Sequence, residues 1–456
     1  MKNAVFWARI FPPYGSTDGQ MRKRPFIYYG WIIVAAGIVS YALGYGSRYS
    51  FSVIFPSLLE EFQWPRDLTA GIFFIHFLTY GLAAPIVGGL VDRIGPRKTM
   101  ALGTILLSLG LVLSGLGNEP WHFYLSFGVV TGVGLSLTGA VPFTAVLRNW
   151  FERKRGLAFS ILFFGVGGAF ICYPGIAFLI DNLDWRNTFL IEAAIVIGCM
   201  LPLIIFIVRY HPGDKGLFVD GMSGDKGPCR DKETEVPLIK DQTWVTIDWT
   251  LSKAVKTRPF WMLSLSTFCL WGITQHIVVA HHIAFAMDMG YSRIYASSVL
   301  SLFGAFFSLG CLIALISDQI GRESTLTIGA VFIISGILML MFIKDNTQPW
   351  MLYYYAAAVG FGIGMTTPPI AAATTDIFQG PKTGAIIGFV WFSFAVGGSI
   401  GPWLGGWVFE LTRSYKNAFI LAIVICALGC GGMWWAAPRK IRQVPGRVTS
   451  RKDGKI

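Results

Sequence analysis

Twelve apolar runs recur along the chain, near 28–54, 69–91, 99–117, 121–147, 156–180, 188–208, 259–286, 294–317, 325–343, 350–375, 384–409 and 417–437. A helix needs about 20 apolar residues to cross a bilayer core of about 30 Å. Each run is long enough, and each ends in a polar turn. In lipid only helices and closed barrels satisfy every backbone group, so the pattern predicts an all-α membrane protein of twelve spans. The mean hydropathy of +0.58 agrees. The first 27 residues hold Lys2, Arg9 and "MRKRP" but no short apolar core followed by a small-residue cleavage site. The first span is therefore expected to serve as its own insertion signal.

The net charge of +12 is explained by topology without nucleic acid as a partner. Twelve spans sort the connecting segments into two alternating sets. The set that includes both termini holds 30 Lys and Arg, and the opposite set holds six: Arg66, Arg186, Arg293, Lys344, Arg413 and Lys416. The positive-inside rule then predicts that both termini are cytoplasmic; the expected location of this multi-pass protein is the plasma (inner) membrane. One basic residue of the 37 remains, Arg48, alone inside a span. Six of the seven cysteines lie in spans and only Cys229 in a loop, so no disulfide framework is expected.

The long polar stretch 209–258, rich in Gly, Asp and Lys, divides six spans from six and reads as a cytoplasmic linker. The expected organisation is a tail (1–27), a six-helix bundle (28–208), the linker (209–258), a second bundle (259–437) and a basic tail (438–456). The halves echo each other: "VDRIGPRKT" after span 2 matches "SDQIGREST" after span 8, and "GVGGAF…DWRNTFLI" matches "AVGGSI…SYKNAFIL" 230 residues on. Paired six-span repeats, with a substrate site where they meet, are a recurrent transporter design.

These residues resemble the major facilitator superfamily across essentially the whole chain. Its Gly-x-x-x-Asp-Arg-x-Gly-x-Arg-Lys turn after span 2 is met by Gly88, Asp92, Arg93, Gly95, Arg97 and Lys98. The resemblance implies a charge latch between bundles that must slide, with Asp92 near the N-terminus of a facing helix. In the second copy Asp318, Gly321 and Arg322 remain, but Ala314 and Gln319 replace the opening glycine and first arginine, and a weaker latch is expected there. Within the superfamily the stretches 48–66, 149–161, 280–293 and 376–388 resemble the monocarboxylate porters and the oxalate:formate antiporters. Relatives place a basic residue in span 8 and, for dicarboxylates, a lysine in span 11. Both spans are uncharged inside here, which disfavours dicarboxylates.

An intramembrane charge costs at least about 2.5–3.5 kcal/mol at mid-bilayer, and such residues face a functional interior by default. Arg48 is accordingly read as the anion anchor, a forked donor suited to a carboxylate; the alternative is a snorkelling residue or a gate paired with Glu60 or Glu61. Tyr41, Gly44, Tyr45, Ser52 and Phe55 share its semi-polar stripe. Span 2 adds His76 and Tyr80 on one face, Tyr80 resembling a tyrosine that relatives use near substrate. In span 7, Trp271, Gln275 and His282 share a face on a straight α-helical wheel, with Thr274 and His281 beside it. His76, His281 and His282 are the candidate proton carriers, and the substrate-binding set is Arg48, Tyr45, Tyr41, Tyr80, Gln275, His282 and Thr366. Thr366 and Thr367 precede "PP", where a broken helix would free carbonyls to line a cavity. Glu192 is assigned to the outer interface and Asp376 to a structural turn.

No phosphate-binding loop of the GxxxxGK[ST] type and no metal-ligand spacing occurs in the sequence, so neither an enzyme nor a cofactor is expected. The expectation is a monomeric secondary transporter of a small organic anion, a monocarboxylate by resemblance, working by proton symport or anion exchange. The competing readings are a carrier of a neutral or amphipathic solute with Arg48 as gate, and a non-transporting membrane sensor.

Overall fold

The computed structural model describes residues 28–151, 155–221, 244, 247–378 and 383–441. The N-terminal tail, residues 222–243 and 245–246 of the polar linker, and the tail beyond 441 lie outside the described residues. The apolar runs become α1 (Tyr29–Phe62), α2 (Arg66–Ile94), α3 (Pro96–Gly115) and α4 (Pro120–Trp150). Next come α5 (157–183), α6 (185–206), α7 (Arg258–Asp288), α8 (Arg293–Ile316) and α9 (Arg322–Phe342). The chain closes with α10 (Pro349–Ile377), α11 (Ala385–Thr412) and α12 (Tyr415–Ala436). By length and apolarity alone eleven stretches qualify as crossings, because Leu157–Phe206 runs 50 residues. A straight helix of that length would measure about 75 Å, more than twice a bilayer core. The chain instead breaks at Asp184 (φ 74°, ψ 170°), whose carboxylate accepts from the Asn187 amide at 2.9 Å and starts α6. Two crossings result, and the total is twelve.

The helices form two bundles, α1–α6 and α7–α12. Their outward faces carry exposed Leu109, Ile197, Val331 and Val424, as a lipid-facing surface requires. The bundles meet along α2–α11, α5–α8 and α1–α7. Since α2 is the repeat counterpart of α8 and α5 of α11, the first two seams are one contact made twice. Small residues let these helices approach: a Cβ on Gly304 of α8 would stand 2.6 Å from Phe170 Cβ of α5, and one on Gly81 of α2 would stand 2.5 Å from Ala395 Cβ of α11. Gly304→Val is expected to wedge the α5–α8 seam and cost about 1–3 kcal/mol, read as a lower melting temperature in detergent; an unchanged melting temperature would remove Gly304 from the seam's requirements.

Among the described residues three helices widen into π-helical turns: Tyr124–Thr131 of α4, Val196–Met200 of α6 and Phe268–Thr274 of α7, a geometry that often accompanies functional sites. In α10 the expected break does not occur: the helix runs through Pro368 and Pro369, and the Thr366 and Thr367 hydroxyls both donate to the Ile363 carbonyl at 2.8 Å. The two hydroxyls are thereby bonded back onto their own helix.

Candidate functional site

Arg48 lies midway along α1 and is fully buried, 1% exposed, where α1, α2 and α7 converge. Its guanidinium is caged by aromatic rings, 4.2 Å from the Tyr80 centroid, 4.3 Å from Phe77 and 5.3 Å from Tyr45. Cation–π contacts of this kind contribute about 0.5–2 kcal/mol each. Nε donates to His76 Nε2 at 3.0 Å. Because arginine can only donate, His76 Nε2 accepts, and its Nδ1 carries the hydrogen toward the Phe127 carbonyl and Thr131 hydroxyl, both 3.0 Å away. One edge of the guanidinium is thereby fixed. Both terminal nitrogens, Nη1 and Nη2, are buried without a hydrogen-bond partner among the described residues. A fork of two unsatisfied donors held flat between rings is the shape that a carboxylate accepts bidentately.

Neighbouring residues complete the floor. The Tyr45 and Tyr80 hydroxyls lie 3.3 Å apart. Tyr49, next along α1, reaches across the seam to His276 Nε2 at 3.1 Å and to Gln275 Nε2 at 3.4 Å. His276 packs edge-on against Phe77 with centroids 4.3 Å apart, so the second half touches the ring that covers Arg48. The geometry therefore brings together Arg48, Tyr45, Tyr80, His76 and, through Tyr49, Gln275. Tyr41 packs against Tyr45 and Phe143 in the first bundle rather than on Arg48. Thr366 accepts from Trp271 Nε1 at 3.3 Å on the far side of α7. Sequence reasoning missed Tyr49, Phe77 and His276.

The other two histidines sit away from the arginine. His281 donates from Nε2 to the Pro402 carbonyl at 2.7 Å and meets the Tyr415 hydroxyl at Nδ1. His282 donates from Nε2 to the Ala296 carbonyl at 3.0 Å and stacks on Tyr355. His76 has both nitrogens engaged, and a second proton on it would break the Arg48 bond. Glu192, expected at the outer interface, is instead buried at 8% exposure, with Oε2 2.9 Å from the Ser50 hydroxyl. The inward face of α6 carries it against α1, which its position near the end of an apolar run did not reveal.

Glu60 and Glu61, the alternative partners of Arg48, are engaged elsewhere, at the end of the molecule opposite the termini. Arg186 binds Glu61 at 2.7 Å. Arg293 of the second half reaches Glu60 at 3.8 Å, Asp181 at 3.6 Å and the Ser57 hydroxyl. Arg66 of the first half pairs with Asp288 at 2.9 Å, donates to the Tyr415 hydroxyl at 2.7 Å and lies over the Phe409 ring. These bonds join the halves at the distal end. At the terminal end, Gly95 (φ 82°) and Gly321 (φ 104°) occupy turns that favour glycine. Gly88 is next to Val141, Arg93, Arg97 and Lys98 are exposed, and Arg322 pairs with Asp376 at 3.1 Å. The side chains of Asp92 and Asp318 lie outside the described residues.

The Major Facilitator Superfamily model matches residues 37–392 and 311–454. The chain belongs to this superfamily. As a major facilitator transporter it is similar, at 26% identity over 407 residues, to the uncharacterized MFS-type transporter YcxA of Bacillus subtilis, covering 88% of this chain and 92% of that protein. It is 24% identical over 416 residues to monocarboxylate transporter 13 of Bos taurus, covering 88% of each. Human monocarboxylate transporter 11 is 24% identical over 437 residues, covering 91% of this chain and 85% of that protein. The same fold is found in the crystal structure of a bacterial homologue of the human lysosomal transporter Spinster, in an inward-facing and occupied conformation. That match has a TM-score of 0.65 at 14% identity and covers 90% of this chain and 97% of the other.

At this candidate site the hydroxyl and the ring of Tyr80 make separate contacts, with Tyr45 and with Arg48. Tyr80→Phe keeps the ring over Arg48 and loses one hydroxyl contact, so about a fivefold rise in substrate KM is expected, from a hydrogen bond of about 1 kcal/mol. Tyr80→Ala also removes the cation–π face and should raise KM by about tenfold more. Equal KM values for the two variants in proteoliposome uptake would show that the ring contributes nothing.

Proposed function

We propose that this transporter carries a small organic anion, a monocarboxylate, across the plasma membrane as a monomer, by rocking its two halves about a site centred on Arg48. The single observation that carries the reading is the pair of buried, unpartnered guanidinium nitrogens of Arg48. The monocarboxylate transporters among the similar proteins support the choice of anion. The engagement of Glu60 and Glu61 by Arg293 and Arg186 supports an anchor over a gate. The distribution of 30 basic residues against six supports cytoplasmic termini, which makes the distal ion pairs an outer closure.

The test is uptake of labelled lactate, pyruvate, oxalate and formate, with glycerol as a neutral control, into proteoliposomes. Saturable uptake of a monocarboxylate that the other monocarboxylates inhibit is the expected result. Saturable glycerol uptake with no anion transported would overturn it in favour of a neutral-solute carrier.

A further inference from the structure

Glu192 has no part in the anion site around Arg48, yet its setting is unusual. It lies in α6, two turns in from the Asp184 break, and faces α1 at Ser50. One carboxyl oxygen meets the Ser50 hydroxyl; the other, Oε1, is buried with no partner. Among the described residues, the groups around it supply no cation. From α1 come Ser50 and the phenol Tyr49; from α5 come Cys172 and Tyr173, both in electrostatic range. α3 brings Ser108, which bonds the neighbouring Ala193 carbonyl at 3.0 Å, and its Arg97 and Lys98 lie at the far end of the helix. α8 has Arg293 and Tyr295 at its distal end and Cys311 toward the other. Arg186 of α6 itself is bound to Glu61. Arg48 is two residues from Ser50, about 200° round α1 and so on its opposite side.

Ser50 makes the site able to hold either form of the acid. Its single hydrogen has two acceptors, the Ser47 carbonyl at 3.0 Å and Glu192 Oε2 at 2.9 Å. When the hydroxyl donates to Ser47, its oxygen accepts a hydrogen from a protonated Glu192. When it rotates, it donates to the carboxylate. Ionised carboxylates buried without a cation are costly, so a state that keeps Glu192 enclosed favours the proton-bound form. The Tyr173 hydroxyl, also buried without a partner, stands within electrostatic range of both Glu192 and Tyr49. Tyr49 in turn bonds His276 at the seam between the halves.

We propose that Glu192 is a proton-binding site of the transport cycle, loaded from one side of the membrane and unloaded to the other, which makes the carrier a proton symporter. The proposal rests on the organic-anion reading for its cargo. Anion and proton then occupy opposite sides of α1, and their charges cancel across a single moving helix.

The experiment compares wild type, Glu192→Gln and Glu192→Asp in proteoliposomes with labelled lactate. Two quantities are read: accumulation driven by an imposed pH gradient, acid outside, and counterflow without a gradient. Glu192→Gln is expected to keep counterflow while the ratio of uptake with and without the gradient falls to unity, and Glu192→Asp is expected to restore part of the gradient response. Gradient-driven accumulation by Glu192→Gln equal to wild type would overturn the proposal. A second reading needs no substrate: the infrared carbonyl band of a protonated carboxyl group, titrated with pH, should differ between wild type and Glu192→Gln, and identical titrations would also overturn it. If wild type carries no lactate, the organic-anion reading fails for that substrate, while the infrared titration still decides for or against Glu192.

Discussion

Arg48→Ala is expected to abolish concentrative anion uptake. Truncating one partner of a buried, hydrogen-bonded charge pair typically costs about 2–5 kcal/mol, equivalent to roughly 30- to 4,000-fold in apparent affinity. The loss has two sources in the geometry. The forked donors disappear, and the Tyr45, Phe77 and Tyr80 rings lose the plane they enclose. Arg48→Lys should rescue little, because an ammonium offers neither a planar fork nor an Nε bonded to His76. The measurement is initial-rate uptake of labelled lactate against concentration, with the melting temperature as a control for folding. Near wild-type KM in a folded Arg48→Ala protein would eliminate the arginine as substrate anchor.

The second large effect is expected at the distal end. Arg66 and Arg293 each hold the opposite bundle, through Asp288 and Tyr415 in one case and through Glu60, Asp181 and Ser57 in the other. Their side chains are only 18% and 10% exposed, but most of the acids are open to solvent, so each pair is worth about 0.5–1 kcal/mol. Removing both arginines should shift the balance between closed and open distal ends by about 2 kcal/mol, close to 30-fold in population. Spin labels on Gln63→Cys and Asp345→Cys, exposed on opposite halves of this end, would report it as growth of a longer distance in the Arg66→Ala, Arg293→Ala protein. An unchanged distance distribution would mean that packing along the helix seams, rather than these ions, holds the end shut.

Lipid makes some of this structure easy to read in a sequence and hides other parts. The spans are legible because the bilayer imposes one length and one composition on each crossing; even the break at Asp184 is visible as two apolar runs, 156–180 and 188–208. Arg48 is legible because it is the one basic residue within those runs. His276 is not. A straight α-helical wheel puts Trp271, Gln275 and His282 on one face, but Phe268–Thr274 is π-helical, and the His276 ring bonds back to the Trp271 carbonyl five residues earlier at 2.9 Å. The wider turn offsets Trp271 from the regular helix Gln275–Asp288, in which His276 meets α1 while His282, about 120° round, looks toward α8 and α10. Glu192 escapes a sequence reading for another reason. Its burial depends on Ser50, 142 residues away, and no local pattern encodes that neighbour. The Pro368–Pro369 pair misleads because prolines suggest a break, whereas α10 runs through both.

On the orientation proposed above, one consequence of the distal ion pairs concerns the medium around the cell. α1 is 34 residues long, about 51 Å at 1.5 Å per residue, so its last turns, with Glu60 and Glu61, extend beyond the hydrocarbon into water and headgroups. Charges there are screened over about 8 Å at physiological ionic strength and over about 3 Å at 1 M salt. The closure is therefore strongest in dilute media and loosens in brine, whereas the Arg48 cage, enclosed by rings, is largely insulated from the same ions. The salinity of the medium facing that end would shift how often it opens, and with it the apparent affinity for a solute arriving from that side.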